Sequence, residues 1–233
     1  NNQSNKIYSD EIIKSYNTGL DIDNSKESAL KYLEFLNSIN NEDFLKKMGK
    51  NLEPVIKSIY INYKDDWRIL FYYSSFLLNQ SFDIIDDKEE EKLLQKIIKI
   101  SSDGINLQNS HGFYVIRGIA RVNLSYKKTY NENENELKLI ISDAISDYNF
   151  ALENWDNKYF KYGNKNIIPF YLSKLYQRNK DYEMQYNELK KSIKSYSESN
   201  EEVYEKIYYD LAMNCYYLAK YQEGIEFSDL YIS

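Results

Sequence analysis

One cysteine, one histidine, two prolines and seven glycines are all that the 233 residues hold of those four types. The single cysteine, Cys215, excludes an intrachain disulfide and a cysteine-based zinc site. Its place between Leu211 and Leu218 reads as helix packing by a small apolar side chain rather than as a nucleophile. The single histidine, His111, leaves little with which to build a Ser/His or Cys/His couple, because such a couple needs an imidazole beside its nucleophile. At the entrance to a helical stretch, His111 reads as a capping or exposed residue. The shortage of glycine and proline argues against an all-β chain of tight turns, since long segments run without a breaker. Gly112 and Gly118 sit within helical pattern, not in a strand-to-helix phosphate loop. No apolar run reaches the ~18 residues of a membrane span, so no transmembrane segment is expected. Positive charge is also short: the net charge of −6 disfavours a general nucleic-acid binder, and no nucleic-acid partner is expected.

What is present is ordinary for a folded chain, 42% hydrophobic and 28% charged, apart from 25 tyrosines. With so much Asn, Lys and Ile beside them, the tyrosines reflect compositional bias as much as function. The chain starts Asn1-Asn2-Gln3-Ser4 rather than at methionine. Trimming explains this and gives a cytoplasmic expectation; the alternative is a removed export signal and a polar tether, which gives a periplasmic or envelope-anchored protein.

Residues 1–9 are polar and expected to fray. From Ser9-Asp10 to 105 the pattern is a succession of helix pairs. Ile12, Ile13, Tyr16 and Leu20 mark the first helix, and Asn24 with Glu27 suggests a capping box before a second helix carrying Ala29, Leu30, Leu33 and Leu36. Asp21, Asp23 and Ser25 fail as a calcium loop, because Lys26 and Tyr32 stand where Gly and a bidentate Glu are required. Residues 41–63 read as helical with Pro54 in a first turn. Trp67–Leu78 is apolar nearly all round, which predicts burial between neighbours. The acidic run from Asp86 suits the first turn of a helix ending near Ser102, with Asp103-Gly104 closing it.

The stretch from His111 to Trp155 organises the rest. Gly118, Ala120, Ala144 and Ala151 keep two amphipathic helices slim, while Ile145 and Tyr148 add bulk on the same face at helical spacing. DAISDYNFALE (143–153), with Leu172, Ser173, Tyr176 and Tyr182 in the next pair and Tyr208, Leu211, Ala212, Tyr221 and Gly224 in the one after, resembles the tetratricopeptide repeat (TPR). Residues 106–233 are the TPR-like region, with an insertion near 127–140 that reads as a loop or an extension of helix ends: Ala144 follows Tyr126 by 18 residues, about fifteen more than the family spacing. From Tyr182 to Tyr221 is 39 residues, against ~34 in the family. A glycine inside a helix costs about 1 kcal/mol against alanine, so Gly224 implies another helix pressed against it.

The resemblance implies an all-α fold, a right-handed α-solenoid of antiparallel helix pairs whose first helices line a concave groove. It assigns Val115, Ile119, Val122 and Asn123 to that groove from one pair. Phe170, Lys174, Gln177 and Arg178 come from the next, and Tyr209, Met213, Tyr216 and Tyr217 from the last. Most positions of the family's carboxylate clamp are apolar or aromatic here. Lys174 and Arg178, one turn apart, read either as a site for an acid on a ligand or as a solvated helix edge.

The functional expectation is a non-catalytic scaffold that binds a protein or peptide on its concave face, without cofactor or metal. The alternative is a small-molecule or carbohydrate-binding helical-repeat protein of the cell envelope that stacks tyrosine and tryptophan on its ligand. An enzyme would require buried, clustered carboxylates in a cleft. Because terminal repeats need a polar face or a partner, the Tyr204–Tyr231 pair is expected to pack on a further segment or on a second copy, giving a homo-oligomer.

Overall fold

The computed structural model describes residues 25–38, 42–127, 134–156, 165–199 and 202–232. Among them it contains ten α-helices, one 3₁₀ turn and no strand. The expected helix over 10–20, the Asn24 cap, the Asp21 turn and most of the 127–133 segment lie outside the described residues. The chain divides into two compact units, Asn1–Asn109 and Ser110–Ser233.

The first unit holds α1 (Lys26–Ser38), α2 (Glu42–Asn62), α3 (Trp67–Ser81) and α4 (Asp87–Leu107). Ser25 opens α1, its hydroxyl accepting the Ser28 amide at 3.2 Å. Asp66 caps α3 by accepting the Arg68 amide at 3.0 Å, and Asp86 caps α4 by accepting the amides of Lys88 and Glu89 at 2.9 Å. The acidic first turn of α4 is therefore a dipole-matched helix start. The apolar α3 is the hub on which α1, α2 and α4 all pack. Tyr73 joins three of these helices: its ring stacks on Tyr60 at 4.3 Å and its hydroxyl accepts from Lys96 Nζ at 2.8 Å.

Two local expectations fail in this unit. Pro54 lies inside α2, not in a first turn. Leu52, Ile56 and Ile59 on one face of that helix are buried, and their burial outweighs the ~3 kcal/mol an interior proline costs. Gly104 does not end α4, which continues to Leu107; Gly104 is buried on the same face as Ile97, Ile100 and Ser101.

The second unit holds three helix pairs: α5 (His111–Lys127) with α6 (Glu134–Glu153), α7 (Ile168–Arg178) with α8 (Tyr182–Glu198), and α9 (Glu205–Tyr217) with α10 (Tyr221–Ile232). Residues 134–140 of the insertion form the start of α6, where Leu137 is buried. The interiors are shared between successive pairs. One core gathers Val122 from α5, Leu137, Ile141, Ala144, Tyr148 and Ala151 from α6, and Ile168, Leu172 and Leu175 from α7. A second gathers Phe170 from α7, Leu189 and Tyr196 from α8, and Ile207 and Leu211 from α9.

The α7–α8 and α9–α10 turns are one turn used twice. Lys180 (φ 60°) and Ala219 (φ 57°), 39 residues apart, both adopt the left-handed conformation. The Asp181 amide reaches back to the Tyr176 carbonyl at 2.9 Å, as the Lys220 amide does to Cys215. Asn179 donates to Leu175 and Leu218 to Asn214, at 2.9 and 3.1 Å. This is the glycine-type helix ending, made without glycine.

Candidate binding face

The first helices of the three pairs touch directly. Arg178 on α7 donates to the Ser125 carbonyl of α5 at 2.7 Å and lies over the Tyr126 ring at 5.2 Å. In the other direction Lys174 on α7 forms an ion pair and hydrogen bond with Asp210 on α9. Phe170 meets Tyr204, the residue ahead of α9, edge-on at 5.7 Å. The i, i+4 spacing of Lys174 and Arg178 thus points one cation at each neighbouring helix. Both side chains span the interior between first helices, a placement different from a solvated edge. Burial lowers the Lys174 pKa, and the Asp210 carboxylate opposes that shift.

The candidate residues fall into three groups. Val122 and Phe170 are buried in the two cores and support the face from beneath. Val115, Ile119 and Asn123 on α5, with Gln177 on α7, are half-buried. Tyr209, Met213, Tyr216 and Tyr217 on α9 are exposed, at i, i+4, i+7 and i+8 along one face. The opposite face of α9, with Ile207, Leu211, Asn214 and Cys215, is buried.

The aromatic surface extends beyond the expected positions. Tyr217 stacks on Tyr182 at 4.5 Å with 10° between planes, and touches Tyr216 at 5.8 Å, which meets Tyr221 at 6.3 Å. Tyr209 meets Tyr231 at 5.6 Å. Tyr182 and Tyr221 hold the same register position, the first residue of a second helix. That repeat spacing was the signal that could have placed them on this surface.

Charged residues missed by sequence reasoning hold the first of these pairs together. Arg117 on α5 grips Asp147 on α6 with bonds of 2.7 to 3.2 Å. Arg121 also bonds Asp147, and donates to Asp143 at 2.9 Å. The i, i+4 arginines and i, i+4 aspartates were the legible signal. These clustered carboxylates are matched by guanidinium groups.

His111 corrects the expected capping or exposed role. It is buried, its ring 4.5 Å from that of Trp155, and its Nδ1 accepts the Asp156 amide at 3.3 Å. Burial lowers its pKa, with Asp156 opposing. Cys215 is buried as expected, and burial raises its thiol pKa. A Cβ on Gly224 would stand 3.2 Å from the Cys215 Cβ, which is the close helix contact its sequence position implied.

Among the described residues no group of three or more His, Cys, Asp or Glu is placed to hold a metal, and no helix is long and apolar enough to cross a membrane. No family model matches this chain, and no curated protein matches it. The fold and the face define an architectural class, an all-α chain of adjacent helix pairs with a tyrosine-rich surface on one first helix.

Proposed function

We propose that the chain is a non-catalytic scaffold that binds a protein or peptide on the face formed by α5, α7 and α9. In this reading the second unit is a right-handed, TPR-like superhelix with that face on its concave side. The observation that carries the proposal is the exposed pair Tyr216 and Tyr217, on the one of these three helices whose outward face is least covered. Tyrosine suits recognition because a rigid ring gives large contact area at little entropy cost and ends in a hydroxyl that can hydrogen-bond. Shared cores and direct bonds between α5, α7 and α9 support a face held at fixed geometry. A carboxylate clamp built on Lys174 and Arg178 is disfavoured, because both cations are taken up within the chain.

The test is quantitative affinity capture from cells of the source organism. The intact chain is compared with a variant carrying Asn123→Lys and Gln177→Glu, two half-buried positions on α5 and α7 that are not core residues. A partner set reduced at least about tenfold by the variant, with unchanged helicity, is expected. Identical capture by both chains would sink the assignment of this face.

A further inference from the structure

The 39-residue register that makes the two turns equivalent extends along both helix pairs. It places Tyr209 where α7 has Phe170, Met213 where it has Lys174, Ile225 where α8 has Tyr186, and Tyr231 where it has Ser192. In the α7–α8 pair three of those positions meet the following pair, and the fourth, Ser192, is buried. Phe170 is 8% exposed among Ile207, Leu211 and their neighbours, and Ser192 is fully buried. Lys174 meets Asp210, and the Tyr186 hydroxyl donates to Glu223. Their equivalents are open: Tyr209 and Tyr231 are each 46% exposed and Ile225 57%. No residue of α10 is buried.

We propose that this face of α9 and α10 seats an amphipathic α-helix from a partner protein, in the manner in which α9 seats on α7 and α8. The inference rests on the scaffold reading and names the chemistry of its partner. Where α7 presents Lys174 and is answered by Asp210, α9 presents Met213, so a carboxylate on the incoming helix would be buried without a counter-charge. Where α8 presents the Tyr186 hydroxyl to Glu223, α10 presents Ile225, which offers no donor. The seam of the incoming helix is therefore apolar at both points. Its flanks are basic, because apart from Glu223, which faces Tyr186, the charged residues of α10 are the exposed Glu226 and Asp229, with no lysine or arginine in the helix. The same acids make a second copy, set face to face, a poor occupant, since like charges would oppose each other at the rim.

The test uses the full chain and three fluorescent, side-chain-stapled peptides based on residues 204–217, all with alanine at the cysteine position. The first has leucine in place of Asp210 and lysines on its outer face; the second keeps the aspartate; the third has the leucine but glutamates outside. By anisotropy the first is expected to bind about tenfold or more tighter than either other. Met213→Lys should reverse the preference, so that the aspartate peptide binds better than the leucine one, as Lys174 pairs with Asp210. Ile225→Glu should weaken the first peptide about tenfold with unchanged circular dichroism. Equal binding of all three peptides, or a preference that Met213→Lys leaves unchanged, overturns the proposal. So does a concentration-dependent dimer in sedimentation that Ile225→Glu dissociates, which gives the face to a second copy. A label on Ile225→Cys that is protected in the peptide-free monomer gives the face to the protein's own chain and likewise overturns it. Failure here with Asn123- and Gln177-dependent capture intact removes this inference alone; loss of that dependence with the peptide preferences intact removes the α5–α7 face alone.

Discussion

Gly118 and Tyr148 are packed so closely that a Cβ added to Gly118 would stand 2.9 Å from Cε1 and Cζ of the Tyr148 ring. That ring is fully buried and lies nearly parallel to Tyr171, 5.8 Å away, so it has no free direction of retreat. Gly118 is thus the reason α5 can approach α6 and still leave room for the tyrosine on which α7 packs. The expected result of Gly118→Ala is a net loss of up to about 2 kcal/mol, because an overpacking cost of about 1–3 kcal/mol offsets or exceeds the ~1 kcal/mol gained in helix propensity. Urea unfolding monitored by circular dichroism measures it. A stabilised Gly118→Ala chain would show that the ring yields.

The Lys174–Asp210 pair separates Coulomb attraction from packing. Both side chains are largely buried, at 13% and 5% exposure. Removing one partner leaves a buried charge, so Asp210→Ala is expected to cost about 3–5 kcal/mol. Replacing both, Lys174→Met with Asp210→Leu, is expected to cost less than about 1 kcal/mol, because apolar side chains of similar size fill the same space. A double-mutant cycle reads the difference. Additive single and double effects would mean that the pair does not couple α7 to α9.

The helices of the second unit were legible because their apolar periodicity agrees with their packing. The pair marked by Leu172, Ser173, Tyr176 and Tyr182 is found at Ile168–Arg178 and Tyr182–Glu198. Pro54 and Gly104 were misread because local breaker rules consider only the segment, whereas burial of Leu52, Ile56 and Ile59, and of Ile97 and Ile100, decides the outcome. On the candidate face, Tyr209, Met213 and Tyr216 come from the resemblance, and the structure leaves all three exposed on one helical stripe that the core does not use. The fate of Lys174 could not: Asp210 is 36 residues away, and only the stacking of α7 and α9 brings it within reach. His111 was hidden for the same reason, as its partners Trp155 and Asp156 follow a whole helical hairpin later.

His111 gives the second unit a pH dependence of predictable sign. Its folded pKa lies below the ordinary value because burial disfavours the imidazolium. The stability that goes with the neutral ring is therefore present above about pH 6.5, the unfolded value, and declines as pH falls through it toward the folded value. Each pH unit separating the two is worth ~1.4 kcal/mol. Thermal melts at pH 7.5 and 5.5 should show a Tm fall in the wild type that is smaller in His111→Phe, which keeps a ring against Trp155 but cannot titrate. His111 is the only histidine in the chain, so no other imidazole contributes in that window. Equal falls in both chains would refute the assignment.

Cys215 reports on the opening of α10. The thiol is fully buried, and burial raises its pKa, so at pH 8 it is both inaccessible and mostly protonated. Because α10 has no buried residue of its own, it is the element of the α9–α10 pair held by the fewest apolar contacts, and it should open at lower cost than the cores. Labelling by an aromatic disulfide is then expected to follow local opening. Gly118→Ala, which weakens the α5–α6 packing, should leave the rate within about twofold of wild type. Gly224→Leu, which drives a side chain toward Cys215 across a 3.2 Å gap, should raise it by about tenfold or more. A labelling rate that rises with Gly118→Ala as steeply as with Gly224→Leu would mean that Cys215 is exposed only by unfolding of the whole unit, and that α10 is as firmly held as the helices behind it.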